Sequence, residues 1–194
     1  MSRVYFAVAA VSQPVVRFVF RLRCTGLDQL SEEGGFVLAA NHTSNFDPWP
    51  LGIPLFPRRW LRFMAKSELY WQPLGAVLNA VGAFPVERGQ GDLQAIARAV
   101  ELVRAGEVVV MFPEGTRQRK GLRKKWVARP HTGAARIAWQ ARAPLVPAAI
   151  KGTDRLARLG PLRVAYGPPV EVTEDAHETT ERLMAEIRRL YEAL

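Results

Sequence analysis

A histidine and an aspartate stand five residues apart in the polar string that runs from Asn41 to Asp47. In a turn, the Asp47 carboxylate could bond one nitrogen of the His42 imidazole. Such a bond fixes the tautomer and supports the positive charge that the ring gains when its other nitrogen takes a proton. The pair would then be a general base. Two plainer interpretations stay open: Asp47 only caps the helix that begins at Pro48, or His42 is a loop histidine with satisfied hydrogen bonds.

A second polar string, PEGTR, directly follows Phe112 and suits a phosphate ester. Gly115 lets a ligand approach the backbone closely. The side chains of Thr116 and Arg117 can bond phosphate oxygens, and Glu114 could bind a hydroxyl group or orient an arginine. A plain turn at a strand end would explain the proline and the glycine, but not the whole string.

Arg88 follows an extended apolar segment and could hold a phosphate through its two-pronged guanidinium, although a surface arginine fits the pattern as well. We expect no metal, because His131 and His177 are far from His42 in the sequence and no HExxH spacing occurs. Cys24 is the only cysteine, which excludes an intramolecular disulfide and a cysteine-rich metal site.

The 194-residue chain is 48% apolar, which excludes an intrinsically disordered chain, and its net charge is +9. Seven basic residues and no acidic ones lie between positions 117 and 129; without them the net charge would be +2. Such a patch attracts anions: a nucleotide-bearing cofactor, an acidic carrier protein, anionic lipid or nucleic acid. A solvated surface loop is the alternative, and composition alone does not choose.

The N-terminal segment is apolar but interrupted. Val4 to Val11 is wholly apolar, Ser12 to Pro14 interrupt the run, and Val15 to Leu22 contains two arginines. A membrane-spanning helix needs about 20 mostly apolar residues. Residues 1–23 are therefore predicted to form one or two short helices that lie in the membrane interface, with an amphipathic helix packed on the core as the alternative. Further interface candidates are Trp60, Trp71 and Trp126, with core packing an equal alternative for Trp71.

Apolar runs alternate with helical patterns along the rest of the chain. Gly35 to Ala40, Val108 to Phe112 and Leu145 to Ile150 are predicted strands without polar alternation, as in parallel sheets. Helical spacing of apolar residues marks Asp92 to Ala105. Further elements are predicted at Thr132 to Ala141 (helix), Arg163 to Tyr166 (strand) and Glu174 to Leu194 (helix). The prediction is an α/β fold with a largely parallel or mixed sheet flanked by helices, in which ligands bind beyond the carboxyl ends of the strands. Both polar strings lie at such ends.

Four strings in order, NHTSNFDP, GAFPVER, FPEGTR and LVPAAI, resemble the four motif blocks of the glycerolipid acyltransferase family, including the bacterial 1-acylglycerol-3-phosphate acyltransferases. The resemblance covers residues 24 to 153 and implies an acyltransferase α/β domain over residues 24–194. It implies that His42 deprotonates the acceptor hydroxyl and that Asp47 orients His42. It also implies that Pro147 shapes the acyl-donor side. The residues implied to bind the acceptor's glycerol phosphate are Arg88, Glu114, Gly115, Thr116 and Arg117.

The activity implied by this resemblance is transfer of a fatty acyl group from acyl-CoA or acyl carrier protein to the hydroxyl of 1-acyl-sn-glycerol 3-phosphate (lysophosphatidic acid), giving phosphatidic acid in phospholipid synthesis. Another acceptor is an alternative: glycerol 3-phosphate, another lysophospholipid or a lyso-aminolipid. A non-catalytic basic module that binds membrane or nucleic acid is the alternative of another class. The expected cofactors are none, the expected partners are the two substrates and an anionic membrane surface but no nucleic acid, and the expected location is the cytoplasmic face of the cell membrane, peripheral or monotopic.

Overall fold

A computed structural model describes residues 3–86, 92–115 and 130–194. They form one seven-stranded mixed sheet in the order β1-β7-β6-β2-β5-β3-β4, in which every neighbouring pair is parallel except β6 and β7. This confirms the predicted fold class. The strands are β1 (Arg23–Thr25), β2 (Phe36–Ala40), β3 (Leu61–Lys66), β4 (Ala83–Val86), β5 (Val108–Met111), β6 (Leu145–Lys151) and β7 (Arg163–Tyr166).

Six α-helices lie in the described ranges: α1 (Arg3–Pro14), α2 (Pro48–Gly52), α3 (Leu74–Ala80), α4 (Asp92–Arg104), α5 (Gly133–Ala141) and α6 (Ala176–Ala193). A π-helical turn, Val15–Val19, continues α1. Short 3-10 helices occupy Leu27–Gln29, Ile53–Leu55, Ser67–Leu69 and Thr153–Arg158.

Strand β2 lies at the centre of the sheet and is buried on both faces. Val37 and Ala39 contribute to the apolar layer formed with α4, α5 and α6. Phe36, Leu38 and Ala40 contribute to the opposite layer, which includes Leu51 of α2 and Leu55 of the following 3-10 helix. Two-sided burial explains why the sequence of this strand has no polar alternation.

Strand β3 was not predicted from the sequence. Arg62 breaks the apolar pattern there, yet β3 lies between β5 and β4. The guanidinium of Arg62 is accommodated by an ion pair with Glu107, with Nε 3.0 Å from Oε2, and lies over the ring of Trp60. A tertiary charge partner therefore overrides the local pattern.

The N-terminal helix contacts the rest of the protein through Tyr5 and Phe6, whose rings pack on Trp60 and Phe56. Ala9 is its one buried residue among those described, and the exposed fractions of Val11 and Phe18 are 73% and 78%. Val16 of the following turn is fully buried, so the segment packs on the rest of the protein with one face and exposes apolar side chains on the other. The chain stays helical through Pro14 instead of breaking there. In the described part of the chain, no helix combines the length and the apolar character needed to cross a membrane.

Trp71 is 61% exposed, so the core-packing interpretation of this residue is wrong. Trp60 is partly buried, and its ring packs edge-on against Tyr5 of α1 with the ring centroids 5.2 Å apart. Trp126 and the basic residues between 117 and 129 lie outside the described residues.

Cys24 provides a test of this packing. Burial in β1 raises the pKa of its thiol from 9.0 to about 12. The thiolate is the reactive form, so its fraction at neutral pH falls roughly a thousandfold. We expect the folded protein to react slowly with a maleimide at pH 7 and the denatured protein to react rapidly. Since Cys24 is the only cysteine, the stoichiometry of labelling reports on it alone. Rapid labelling of the folded protein would contradict this placement of β1.

Candidate active site

The loop that carries His42 is fixed where β2 ends. The side chain of the buried Asn41 acts as an extra strand residue: its Nδ2 donates to the Ile150 carbonyl at 2.9 Å, and its Oδ1 accepts from the Ile150 amide at 2.8 Å. This pair of bonds joins the start of the loop to the end of β6. His42 therefore leaves the sheet from a defined position.

His42 and Asp47 meet as their spacing predicted. Nδ1 of His42 lies 2.8 Å from Oδ2 of Asp47. The side chain of Asp47 is fully buried, and that of His42 is 17% exposed. A proton on Nδ1, donated to the carboxylate, leaves Nε2 unprotonated and able to accept a proton. The arrangement is that of a general base with its orienting carboxylate.

Asp47 does not cap a helix. Its backbone is already helical in conformation, and its side chain makes no cap hydrogen bond to α2. The carboxylate turns back to its own loop instead, where Oδ2 accepts from the amides of Thr43 at 2.7 Å and Ser44 at 2.9 Å. The capping interpretation is therefore wrong, because the preceding loop supplies the donors.

The other carboxylate oxygen of Asp47 is held by hydroxyl groups. Oδ1 accepts a short hydrogen bond from Thr153 and a longer one, at 3.3 Å, from Thr43. The two threonine hydroxyls also lie 2.8 Å apart. Thr153 was absent from the sequence-based site; a threonine directly after a glycine at the end of a predicted strand was the available signal.

The second polar string reaches the same place because β5 is the parallel neighbour of β2. The ring of Phe112 stacks on the His42 imidazole, with centroids 4.1 Å apart and planes inclined by 20°. The His42 amide donates to Oε2 of Glu114 at 3.4 Å. Burial raises the pKa of the Glu114 carboxyl, the nearby charge of Asp47 adds to this rise, and the His42 amide opposes it.

Gly115 adopts a left-handed conformation, with φ of 67°, beside the ring of His131. A Cβ built on Gly115 would lie 2.3 Å from that ring, so any side chain here would collide. The His131 amide donates to the Pro113 carbonyl at 2.8 Å. Sequence reasoning set His131 aside because of its distance along the chain; its position just before the predicted helix α5 could have placed it at the same sheet edge.

The remaining predicted residues divide into two groups. Pro147 is buried within β6, where its register partner is Ala39 and its ring lies close to Gly167, and it does not join the polar groups around His42. Arg88, Thr116 and Arg117 lie outside the described residues. Within residues 3–86, 92–115 and 130–194, no three His, Cys, Asp or Glu side chains are grouped as metal ligands.

A family model and a relative that is more than 30% identical show the family of this chain. The model of the acyltransferase family matches residues 21–151. A 1-acyl-sn-glycerol-3-phosphate acyltransferase of Bacillus subtilis is 34% identical over 163 residues, which cover 81% of this chain and 78% of that protein. A protein of the same name from Streptococcus pneumoniae is 25% identical over 84% of this chain and 62% of its own length.

The fold also matches a solved structure. The crystal structure of PlsC, the 1-acyl-sn-glycerophosphate acyltransferase of Thermotoga maritima, superposes with a TM-score of 0.68 over 96% of this chain and 80% of that one, at 21% identity. At this identity the likeness bears on fold alone. The family model, in contrast, spans both polar strings, including His42 and Asp47. By that match this chain belongs to the acyltransferase family.

Proposed function

We propose that this enzyme transfers a fatty acyl group from an acyl thioester to the free hydroxyl of 1-acyl-sn-glycerol 3-phosphate, giving phosphatidic acid. The observation that carries the proposal is the bond between His42 and the buried Asp47, with the imidazole still partly open to solvent. The names of the relatives support this acceptor. The non-catalytic module leaves this geometry unexplained.

In the proposed reaction, Nε2 of His42 takes the hydroxyl proton as the acceptor oxygen attacks the thioester carbon. Asp47 stabilises the imidazolium that forms. Collapse of the tetrahedral intermediate breaks the carbon–sulfur bond, forms the ester and releases a thiolate, which receives the proton from His42. Because a thiolate is a good leaving group, most of the remaining task is to position the two substrates.

The acceptor and donor sites follow from the family resemblance. We propose that Arg88, Thr116 and Arg117 bind the phosphate, with Glu114 and Gly115 at the glycerol, and that Pro147 acts on the donor side through the packing of β6. The donor is acyl-CoA or acyl carrier protein, and both carry anionic groups that suit a basic protein.

We further propose that the N-terminal segment, defined as α1 and the π-helical turn, lies on an anionic membrane at its cytoplasmic face. Its support is apolar exposure, since Phe6 and Val8 are about half exposed and Val11 and Phe18 are exposed further. Interfacial helices bury such a face at the level of the lipid headgroups. Arginines at positions 3, 17, 21 and 23 would contact the headgroups.

Substitution of the base tests the chemistry. His42→Ala is expected to lower kcat by about 10²–10⁴ with labelled acyl-CoA and lysophosphatidic acid, since no other group replaces the proton acceptor. His177→Ala, which removes an exposed histidine at the start of α6, is the matched control and should keep wild-type turnover. Equal turnover in the two variants would reject the general base.

Removal of a phosphate contact tests the acceptor. Arg88→Ala should raise the KM for lysophosphatidic acid by roughly tenfold or more and leave kcat nearly unchanged. The reason is that the lost charged hydrogen bond stabilises the bound substrate and the transition state equally. The KM for 1-acylglycerol, which lacks the phosphate, should not change. Arg98→Ala, at an exposed ion pair on α4, is the control. An unchanged KM for both acceptors in Arg88→Ala would assign the phosphate to other residues.

Vesicle binding tests the membrane surface. The double variant Val11→Asp and Phe18→Asp should lose most sedimentation with anionic phospholipid vesicles, because charges replace the apolar contact. Leu93→Asp is matched in chemistry: Leu93 is 69% exposed, but it lies on α4. Equal sedimentation of both proteins would place the membrane contact elsewhere.

A further inference from the structure

We propose that Thr153 is a positioning residue for the His42–Asp47 base, acting through one oxygen of the Asp47 carboxylate. The inference concerns the catalytic pair and rests on the proposed function for its kinetic consequence. It starts from the way in which the two carboxylate oxygens divide their partners. Oδ2 accepts from His42 and from the two loop amides, whereas Oδ1 accepts only from hydroxyl groups among the described residues.

Thr153 differs from the other partners of Asp47 in its origin. His42, Thr43 and Ser44 belong to the same loop as Asp47, but Thr153 comes from 106 residues further along the chain. It is 2% exposed and begins the 3-10 helix that follows β6. The hydroxyl of Thr153 therefore joins the loop of the base to a different part of the sheet.

A glycine makes this contact possible. Gly152 has φ of 102°, and a Cβ built there would lie 2.6 Å from the Pro161 carbonyl oxygen. The chain can therefore turn sharply after Lys151, the last residue of β6, and direct Thr153 at Asp47. Asn41 already joins the start of the same loop to Ile150. The end of β6 thus holds the loop at two points.

The hydroxyl groups of Thr43 and Thr153 can both donate their protons toward Asp47. Thr153 has one proton, and its short bond to Oδ1 uses it. The Thr43 hydroxyl also has one proton, which it can share between the Thr153 oxygen at 2.8 Å and Oδ1 of Asp47 at 3.3 Å. Donation from both hydroxyls therefore runs toward Asp47. A fully buried carboxylate needs such a complete set of donors, because it has no water to replace a missing one.

Loss of the Thr153 hydroxyl should change the base in two ways. The carboxylate would gain rotational freedom, which loosens the ring of His42. It would also lose a donor that stabilises its negative charge, so it would interact more strongly with the protonated imidazole. His42 would then stay protonated to higher pH, and the acidic limb of the kcat/KM profile would move to higher pH. Among the described residues, Glu114 also faces this pair, and the substitution leaves it unchanged.

The kinetic test compares Thr153→Val, which removes the hydroxyl and keeps the shape, with Thr153→Ser, which keeps the hydroxyl. Thr153→Val should lower kcat by about 10- to 100-fold, by analogy with the loss of hydrogen-bond partners behind metal-binding side chains, with the acceptor KM within about twofold. Thr153→Ser should recover most of the activity. Thr180→Val is the matched control: Thr180 is also 2% exposed, but its hydroxyl donates to the Ala176 carbonyl within α6.

A second measurement needs no substrate. NMR titration of the His42 ring should show protonation at a higher pH in Thr153→Val than in the wild type, and no change in Thr153→Ser or Thr180→Val. If Thr153→Val folds poorly, as judged by thermal unfolding, Thr153→Ala takes its place, since it removes the same hydroxyl.

The outcomes separate the two proposals. A wild-type protein that acylates none of the acceptors would reject the proposed function, while the NMR titration would still decide the role of Thr153. Wild-type kcat and an unshifted His42 titration in the hydroxyl-free variant would overturn the inference. Equal impairment of Thr153→Val and Thr153→Ser would also overturn it, because the effect would then come from shape and not from the hydroxyl.

Discussion

The hydrogen bonding of one buried carboxylate is the constraint on which this site depends. Asp47 is fully buried, and a charge in that position is tolerated only when donors surround it. Two loop amides, a histidine nitrogen and two threonine hydroxyls supply them. The same set of bonds that makes burial possible also orients the imidazole. The hydrogen bonds that stabilise the loop are therefore also the ones that set the orientation of His42.

The sheet topology brings the remaining groups to this carboxylate. Strand β2 lies between β5 and β6, all three run in parallel, and their carboxyl ends therefore meet at one edge. From β5 come the ring that stacks on His42 and the Glu114 carboxylate. From the end of β6 and the turn after it come the partner of Asn41 and one partner of Asp47. His42 thus lies at the end of the central strand of the sheet.

The N-terminal segment is linked to this edge by direct packing. Val16 of the π-helical turn is buried with Ile53. The ring of Phe20 contacts Trp49, two residues after Asp47, at 5.9 Å between centroids. A surface proposed to lie on lipid is therefore continuous with the loop that carries the base. This placement suits a substrate whose acyl chain stays in the membrane while its headgroup reaches the enzyme.

The sequence by itself predicted the carboxyl ends of β2, β5 and β6 to within one residue and the contact of His42 with Asp47, because these follow from local periodicity and short spacing. It failed where a distant partner decides the outcome. Arg62 can lie within a strand because Glu107 forms an ion pair with it. The Asp47 carboxylate faces its own loop because the amides of Thr43 and Ser44 donate hydrogen bonds to it there. Only the tertiary structure brought Thr153 and His131 to the site, since the contact of a turn after β6 with a loop after β2 depends on the order of strands in space. No local pattern encodes that order, because it arises from the burial of both faces of the sheet at once.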